Sequence, residues 1–309
     1  MLVAYGDGAE YMIGLLQKAW PTNGPRFVKF SALGSSSPDI IIYSLFGNEH
    51  KKYGNCRKIL ICGEPSNVSG YVANLLIDCK KVPGFQVPGA SFAYVPFYVT
   101  SFFERFQNTP QDLLLLKPRF PKTKFCAFLY SQEHAHRNAL FDQLNAYKKV
   151  DALGKCRGNG QPTDRGTYKL GVCTYNDLAV QKYKPYKFVI CCENTRQPGY
   201  VTEKVVSAML ADAIPIYWGA PDIAEHFNPN SFINAGEPGW LEKVKAVDSN
   251  PEAYAAMLKE PWLKDNVLNT HFDCRANLKH ALEKAAHAKA AVGGGSSGKS
   301  AAFMQLRKR

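Results

Sequence analysis

No stretch of this 309-residue chain approaches the roughly 18–20 consecutive apolar residues that a membrane-crossing helix needs. Its opening residues, MLVAYGDGAEYM, carry no basic segment leading into an apolar one, so no secretory leader is read there. Acidic residues are few, 26 Asp and Glu against 38 Lys and Arg, which leaves a net charge of +12. A surplus of that sign suits nucleic acid, an anionic membrane or a phosphorylated ligand. The cations are scattered, with no basic stripe outside the last residues, so nucleic acid is not expected as a partner. No Asp-x-Asp pair occurs. That removes the usual carboxylate clamp for a divalent ion on a diphosphate, and no metal is expected. Gly6-Asp7-Gly8 has Tyr11 where a third glycine would stand, so it reads as a plain turn rather than a dinucleotide fingerprint. Nine cysteines follow no regular spacing. Without export they are expected reduced and buried, in a cytoplasmic compartment.

What is present is a globular α/β pattern. Apolar residues make up 46% of the chain, enough for a real core, and the length suits two domains. Strand-type runs occur at Leu2–Tyr5, Asp39–Leu45, Lys58–Cys62, Leu75–Cys79 and Phe92–Phe97. The proline-bearing stretch Thr109–Pro121 reads as a linker, and Lys124–Tyr130 restarts the pattern. The expected boundaries are therefore 1–118, 119–291 and a tail, 292–309. Helical patterns are read at Asn138–Tyr147, Glu252–Leu258 and Arg275–Ala291, with a polar loop at Cys156–Gly171. Gly293–Ser300 fits a phosphate-loop pattern but lacks a strand before it and a domain after it, so it reads as a flexible linker. The basic end after it reads as a disordered tail, with weak peripheral contact to an anionic, inner membrane surface as the other reading.

The most informative stretch is Tyr186–Ala235. A strand to Cys192, a polar loop, a helix from near Thr202 to about Asp212 and a strand Ile214–Trp218 make the unit of an open parallel sheet. Ligands of such sheets sit beyond the carboxyl ends of the strands, beside helix starts. Thr202 is a suitable cap there. Lys204 in the first helical turn opposes the macrodipole preference, which makes sense where an anion meets it. In the first half, Glu64 follows the buried run Lys58–Cys62 and can point into a crevice between domains. His280, Glu283 and His287 share a helix face but read as an exposed polar stripe. The neighbours Cys191 and Cys192 read as packing on opposite faces of a strand.

The blocks Glu193-Asn194, Gly199-Tyr200-Val201-Thr202-Glu203-Lys204, Pro215-Ile216-Tyr217-Trp218-Gly219 and Phe227-Asn228-Pro229 closely resemble the signature of the α-1,3/4-fucosyltransferases, glycosyltransferase family ten, particularly the bacterial type. Similarity extends more weakly to His136-Arg137-Asn138-Ala139. The resemblance implies a GT-B fold, two Rossmann-like domains with parallel sheets facing across a cleft. It implies an inverting transferase moving fucose from GDP-fucose to a hydroxyl of an acceptor oligosaccharide, with GDP-fucose as co-substrate and no resident cofactor. By the same resemblance Lys204 and Arg137 would neutralise the diphosphate, and Glu203 would hold the ribose. Tyr200 and Asn194 would contact the phosphate and nucleotide region, and Glu64 would be the general base. Departures from the family pattern are Pro65 for an Asn, Asn74-Leu75-Leu76 for Asp-Tyr-Ala, and no Arg before Val95-Pro96. Other readings are a transferase of the same fold using another nucleotide sugar, and a non-catalytic glycan- or nucleotide-binding module.

Overall fold

The computed structural model describes residues 1–20, 24–81, 87–99, 120–158, 174–263 and 274–289. Most of the expected linker, much of the polar loop and the tail lie outside them. Two parallel sheets carry the fold. The first contains β1 (Leu2–Tyr5), β2 (Arg26–Lys29), β3 (Ile40–Ser44), β4 (Arg57–Cys62), β5 (Leu75–Asp78) and β6 (Ser91–Tyr94), in the order β2-β1-β3-β4-β5-β6. The second contains β7 (Lys124–Phe128), β8 (Val150–Ala152), β9 (Tyr186–Cys192), β10 (Ile214–Trp218) and β11 (Ile233–Asn234), in the order β11-β10-β9-β7-β8. Each is a doubly wound sheet whose strand order reverses beside its first strand. The expected fold of two Rossmann-like domains is what the chain adopts.

Most strands read from sequence are buried on both faces, as parallel sheets require, whereas the edge strand β6 leaves Phe92 exposed. Every residue of β3 is buried, as are Lys58–Cys62 of β4. Cys191 and Cys192 enter different apolar clusters, on opposite faces of β9. The edge strands β2, β8 and β11 are four, three and two residues long and left too short an alternation to read. The turn after β1 is closed by Asp7, whose carboxylate accepts from the N–H of Glu49 and His50 and meets His50 Nδ1 at 2.6 Å.

Among the helices, α1 (Ile13–Ala19), α2 (Ala135–Tyr147), α3 (Thr174–Tyr183), α4 (Glu203–Leu210), α5 (Trp240–Ser249), α6 (Pro251–Lys259) and α7 (Cys274–His287) matter here. α4 is buried from Val205 to Leu210, enclosed by β9, β10 and α3. α6 starts at a strong cap: Asn250 Oδ1 accepts from Glu252 and Ala253, and Pro251 opens the helix. α7 crosses back to the first half. It packs on β4, β5, β6 and α1, and buries Leu278, Leu282 and Ala285. Arg57 donates to the Ala286 carbonyl, and Asn74 donates to that of Lys289 at 2.7 Å. By packing, α7 therefore lies with the first sheet, although its sequence position places it in the stretch 119–291. A helix pattern reveals an apolar stripe but not which sheet it covers.

The two halves share one continuous apolar cluster, running from Leu16 and Tyr98 to Val205 and Leu282. Polar contacts reinforce the junction. Tyr94 Oη donates to the Gly199 carbonyl at 2.9 Å, and the Tyr98 N–H donates to that of Val201 at 3.2 Å. His226, 2% exposed, sits between the hydroxyls of Tyr94 and Tyr98 at 3.4 and 3.2 Å.

Candidate active site

In the second sheet, the strand order reverses between β7 and β9. Arg137 lies in the first turn of α2, which follows β7, and Asn194 lies just past β9. Arg137 Nη2 donates to Asn194 Oδ1, so this contact spans the switch point. The guanidinium also donates to the carbonyls of Gln132 at 3.2 Å and Cys192 at 3.4 Å, and lies 4.4 Å over the Tyr130 ring. Its Nε is buried without a hydrogen-bond partner, although the residue is only 3% exposed. A buried donor of that kind is costly unless something accepts from it.

Lys204 stands one residue into α4. Its ammonium lies 3.3 Å from Glu193 Oε2, 2.9 Å from Thr202 Oγ1 and 3.7 Å from Glu203 Oε1. A lysine in a first helical turn calls for an anion beside it, and the protein supplies one itself in Glu193. Glu193 has no exposed surface and accepts from the Thr202 N–H at 2.8 Å and from its hydroxyl at 2.7 Å. Burial pushes the Glu193 carboxyl upward, while Lys204 and Thr202 pull it down. Thr202 occupies the cap position, but its hydroxyl makes no capping bond and is spent on Glu193 and Lys204. The sequence expected a side-chain cap there. Glu193 competes successfully because a charged acceptor is stronger than a backbone N–H bond to a hydroxyl.

Two glycines make this packing feasible. A side chain at Gly219 would press 2.4 Å against Tyr217 Oη and 2.5 Å against Glu193 Cγ. Gly199 has φ +75°, and a Cβ there would meet Lys81 Cγ at 2.8 Å and the Tyr94 ring at 2.9 Å. Both positions therefore need the missing side chain.

Tyr200 is 2% exposed, so it forms an inner wall of the site. Its phenol is pushed far upward, first by burial, then by the charges of Glu193 and Glu64, with smaller effects that include Glu203. That electrostatic neighbourhood joins residues from both halves around one ring. Glu64 itself is half-buried, just beyond β4, in the turn after Gly63. The structure thus gathers Arg137 with Asn194, and Thr202, Glu203 and Lys204 with Glu193, while Glu64 lies in the first half, in the turn after β4.

Some residues here had no assigned role in the sequence reading. His136 donates from Nε2 to the Glu193 carbonyl at 3.0 Å and stacks on Trp218, ring centroids 4.0 Å apart and 19° from parallel. Burial lowers the His136 pKa, and the Arg137 charge adds to that. Lys80 reaches the Glu64 carbonyl. The only trace of Lys80 in the sequence was two adjacent lysines behind Asp78, at the end of a buried strand. His280 and Glu283 approach to 4.0 Å on an exposed face of α7. Among the described residues no helix is long and apolar enough to cross a membrane.

Residues 120–287 match the family model described as glycosyltransferase family 10 (fucosyltransferase), C-terminal part. A protein of Acanthamoeba polyphaga mimivirus bearing the name of a fucosyltransferase is 37% identical over 207 residues, covering 66% of this chain and 33% of its own length. The α-(1,3)-fucosyltransferase FucT of Helicobacter pylori is 36% identical over 154 residues, covering 48% of this chain and 29% of its own. The chain thus spans about a third of the length of these relatives. A solved structure of an α1,3-fucosyltransferase with GDP-fucose superposes with a TM-score of 0.66 at 20% identity, over 92% of this chain and 90% of that one. That likeness concerns the fold alone, whereas the family match extends over more than half of the chain. On that ground the protein is a member of glycosyltransferase family 10.

Proposed function

We propose that this protein transfers fucose from GDP-fucose to a hydroxyl of an acceptor glycan containing GlcNAc or Glc, in α-1,3 linkage and with inversion at the anomeric carbon. The observation that carries the reading is the pair of cations beside the strand-order reversal, Arg137 with its unpartnered buried Nε and Lys204 in the first turn of α4. A half-buried acid from the first domain, Glu64, is bonded through its carbonyl to Lys80, and the next residue, Lys81, bonds the Pro198 carbonyl in the loop before α4. An inverting displacement needs a base on one face of the sugar and a cationic, donor-rich pocket on the other. Family membership and the donor named for a solved relative support the choice of sugar nucleotide.

In this reading Glu64 accepts the proton of the acceptor hydroxyl as that oxygen attacks the anomeric carbon. GDP departs from the opposite face through an oxocarbenium-like transition state, as in glycoside chemistry. Negative charge gathers on the leaving diphosphate. Lys204 supplies an ammonium, Arg137 a guanidinium with its buried Nε, and the start of α4 its N–H groups. Asn194 orients Arg137. In the same reading Glu203 holds the ribose hydroxyls. The chain has no Asp-x-Asp, and these cations would take the part such a pair gives to a metal.

The test is product formation from GDP-fucose with a panel of acceptors of N-acetyllactosamine type, the linkage of each product being determined. Calorimetry with GDP, UDP and ADP runs beside it. Preferential binding of GDP together with a fucosylated product supports the proposal. Binding of UDP in preference to GDP would assign a different nucleotide sugar, and GDP binding without any turnover would leave a binding module.

A further inference from the structure

The segment that ends β5 and leaves it, Asp78-Cys79-Lys80-Lys81, is absorbed by none of the roles above. Lys80 is 1% exposed. Its ammonium lies 2.7 and 2.9 Å from the two oxygens of Asp78 and 3.4 Å from Cys62 Sγ, and it donates to the Glu64 carbonyl at 3.1 Å. Taking a charge out of water is costly, and a buried pair contributes little more stability than apolar residues of the same volume. Stability alone therefore gives no reason for an ion pair at this depth. Its geometric product is a fixed N–H donor under the turn that bears Glu64. The hydrogen bond from Ser66 N–H to the same carbonyl, at 2.8 Å, tightens that turn further.

The next residue faces the other domain. The Lys81 N–H donates to the Pro198 carbonyl at 3.0 Å. Its ammonium reaches Asp222 Oδ2 at 3.0 Å and Glu225 Oε2 at 2.8 Å. Asp222 Oδ1 in turn accepts from the Gly199 N–H at 2.8 Å. Burial aside, these bonds and the Lys81 charge hold the Asp222 carboxyl below its ordinary range. One dipeptide thus grips the Glu64 turn with its first residue and the loop entering α4 with its second.

We propose that Asp78–Lys81 is a two-sided clasp that sets the distance and angle between Glu64 and the start of α4. Lys80 is a positioning residue acting through Glu64, and Lys81 one acting through the loop from Pro198 to Val201. The proposal rests on the reading of Glu64 as the base. It adds a requirement: base and donor pocket lie on different domains, and displacements of an ångström cost large factors in rate.

The experiment uses the full chain with GDP-fucose and an acceptor it turns over. Asp78→Asn combined with Lys80→Met removes the pair without leaving a buried lone charge. It should lower kcat by about ten- to a hundredfold while the Kd for GDP stays within about twofold, on the expectation that distant sites act independently. Combined with Glu64→Gln, it should lower kcat no further, because residues acting as a unit are not additive. An additive loss in the Glu64→Gln background, or an unchanged kcat, overturns the role of Lys80. Lys81→Met, at a side chain one-third exposed, keeps the test usable should the double variant fail to fold. It should lower kcat severalfold with GDP affinity retained, and Lys81→Arg should recover most of the loss. Unchanged turnover in Lys81→Met overturns the clasp. The reading of Glu64 fails separately, if Glu64→Gln alone turns over normally.

Discussion

At the scale of residues, the site depends on a carboxylate that touches no solvent. Glu193 ties the strand β9 to the start of α4 through Thr202 and Lys204. Because burial raises its pKa, folding favours its protonated form over what the unfolded chain prefers. The resulting stability is fully present below the ordinary glutamate value of 4.5 and is lost as pH rises through the raised value. Melting temperatures of the wild type and Glu193→Gln, compared across that window, should therefore diverge, the wild type losing ground as pH rises. A constant difference would contradict the direction of the shift. Lys204→Ala should weaken GDP binding by about ten- to a hundredfold, the scale of a hydrogen bond to a charged group. It should also lower the melting temperature, since Glu193 loses its ammonium. Calorimetry at a temperature where the variant is folded separates the two effects. Glu64→Gln should lower turnover by roughly 10² to 10⁴ with GDP affinity retained, and near-normal turnover would remove Glu64 as the base.

At the scale of elements, α4 and α7 hold the site from two directions. The loop before α4 passes Lys81 and Tyr94 at a distance only glycine permits, with Gly199 in the left-handed region. Gly199→Ala should cost about 1–3 kcal/mol of stability through backbone strain, read from denaturant midpoints. The family signature made α4 legible, together with the strands on either side, because a buried parallel sheet leaves unbroken apolar runs. α3 and α5 were not read, because each mixes polar residues into a short pattern and packs on neighbours whose positions the sequence does not declare. α7 was read as a helix, but the sheet it covers was not. Leu282, with no exposed surface, faces the first sheet's cluster. Leu282→Ala should destabilise by about 2–5 kcal/mol. Hydrogen exchange should quicken in β5 and β6, and faster exchange confined to the second sheet would place α7 elsewhere.

At the scale of the whole molecule, two sheets meet through one apolar cluster and a polar seam, and the proposed donor is an anion approaching a chain of charge +12. A basic field speeds the approach of anions, and salt screens it. The KM for GDP-fucose should rise severalfold with added salt while the KM for an uncharged acceptor changes little. Equal sensitivity of both would deny that the field acts on the donor.

The amino-acid order by itself determined the two parallel sheets, the strand-loop-helix-strand unit that carries Asn194, Tyr200, Glu203 and Lys204, and the places of Glu64 after a buried strand and Arg137 at a helix start. Those features are local: buried runs, turn residues and a signature confined to one stretch. Only the tertiary structure decided that α7 returns to the first sheet, that Glu193 is the anion beside Lys204, and that Lys80 sits beneath Glu64. Each of these depends on which distant groups share a desolvated space, where a charge is tolerated only beside its partner. Arg57 and Ala286, which meet across 229 positions of chain, leave no period in the sequence by which the contact could be read.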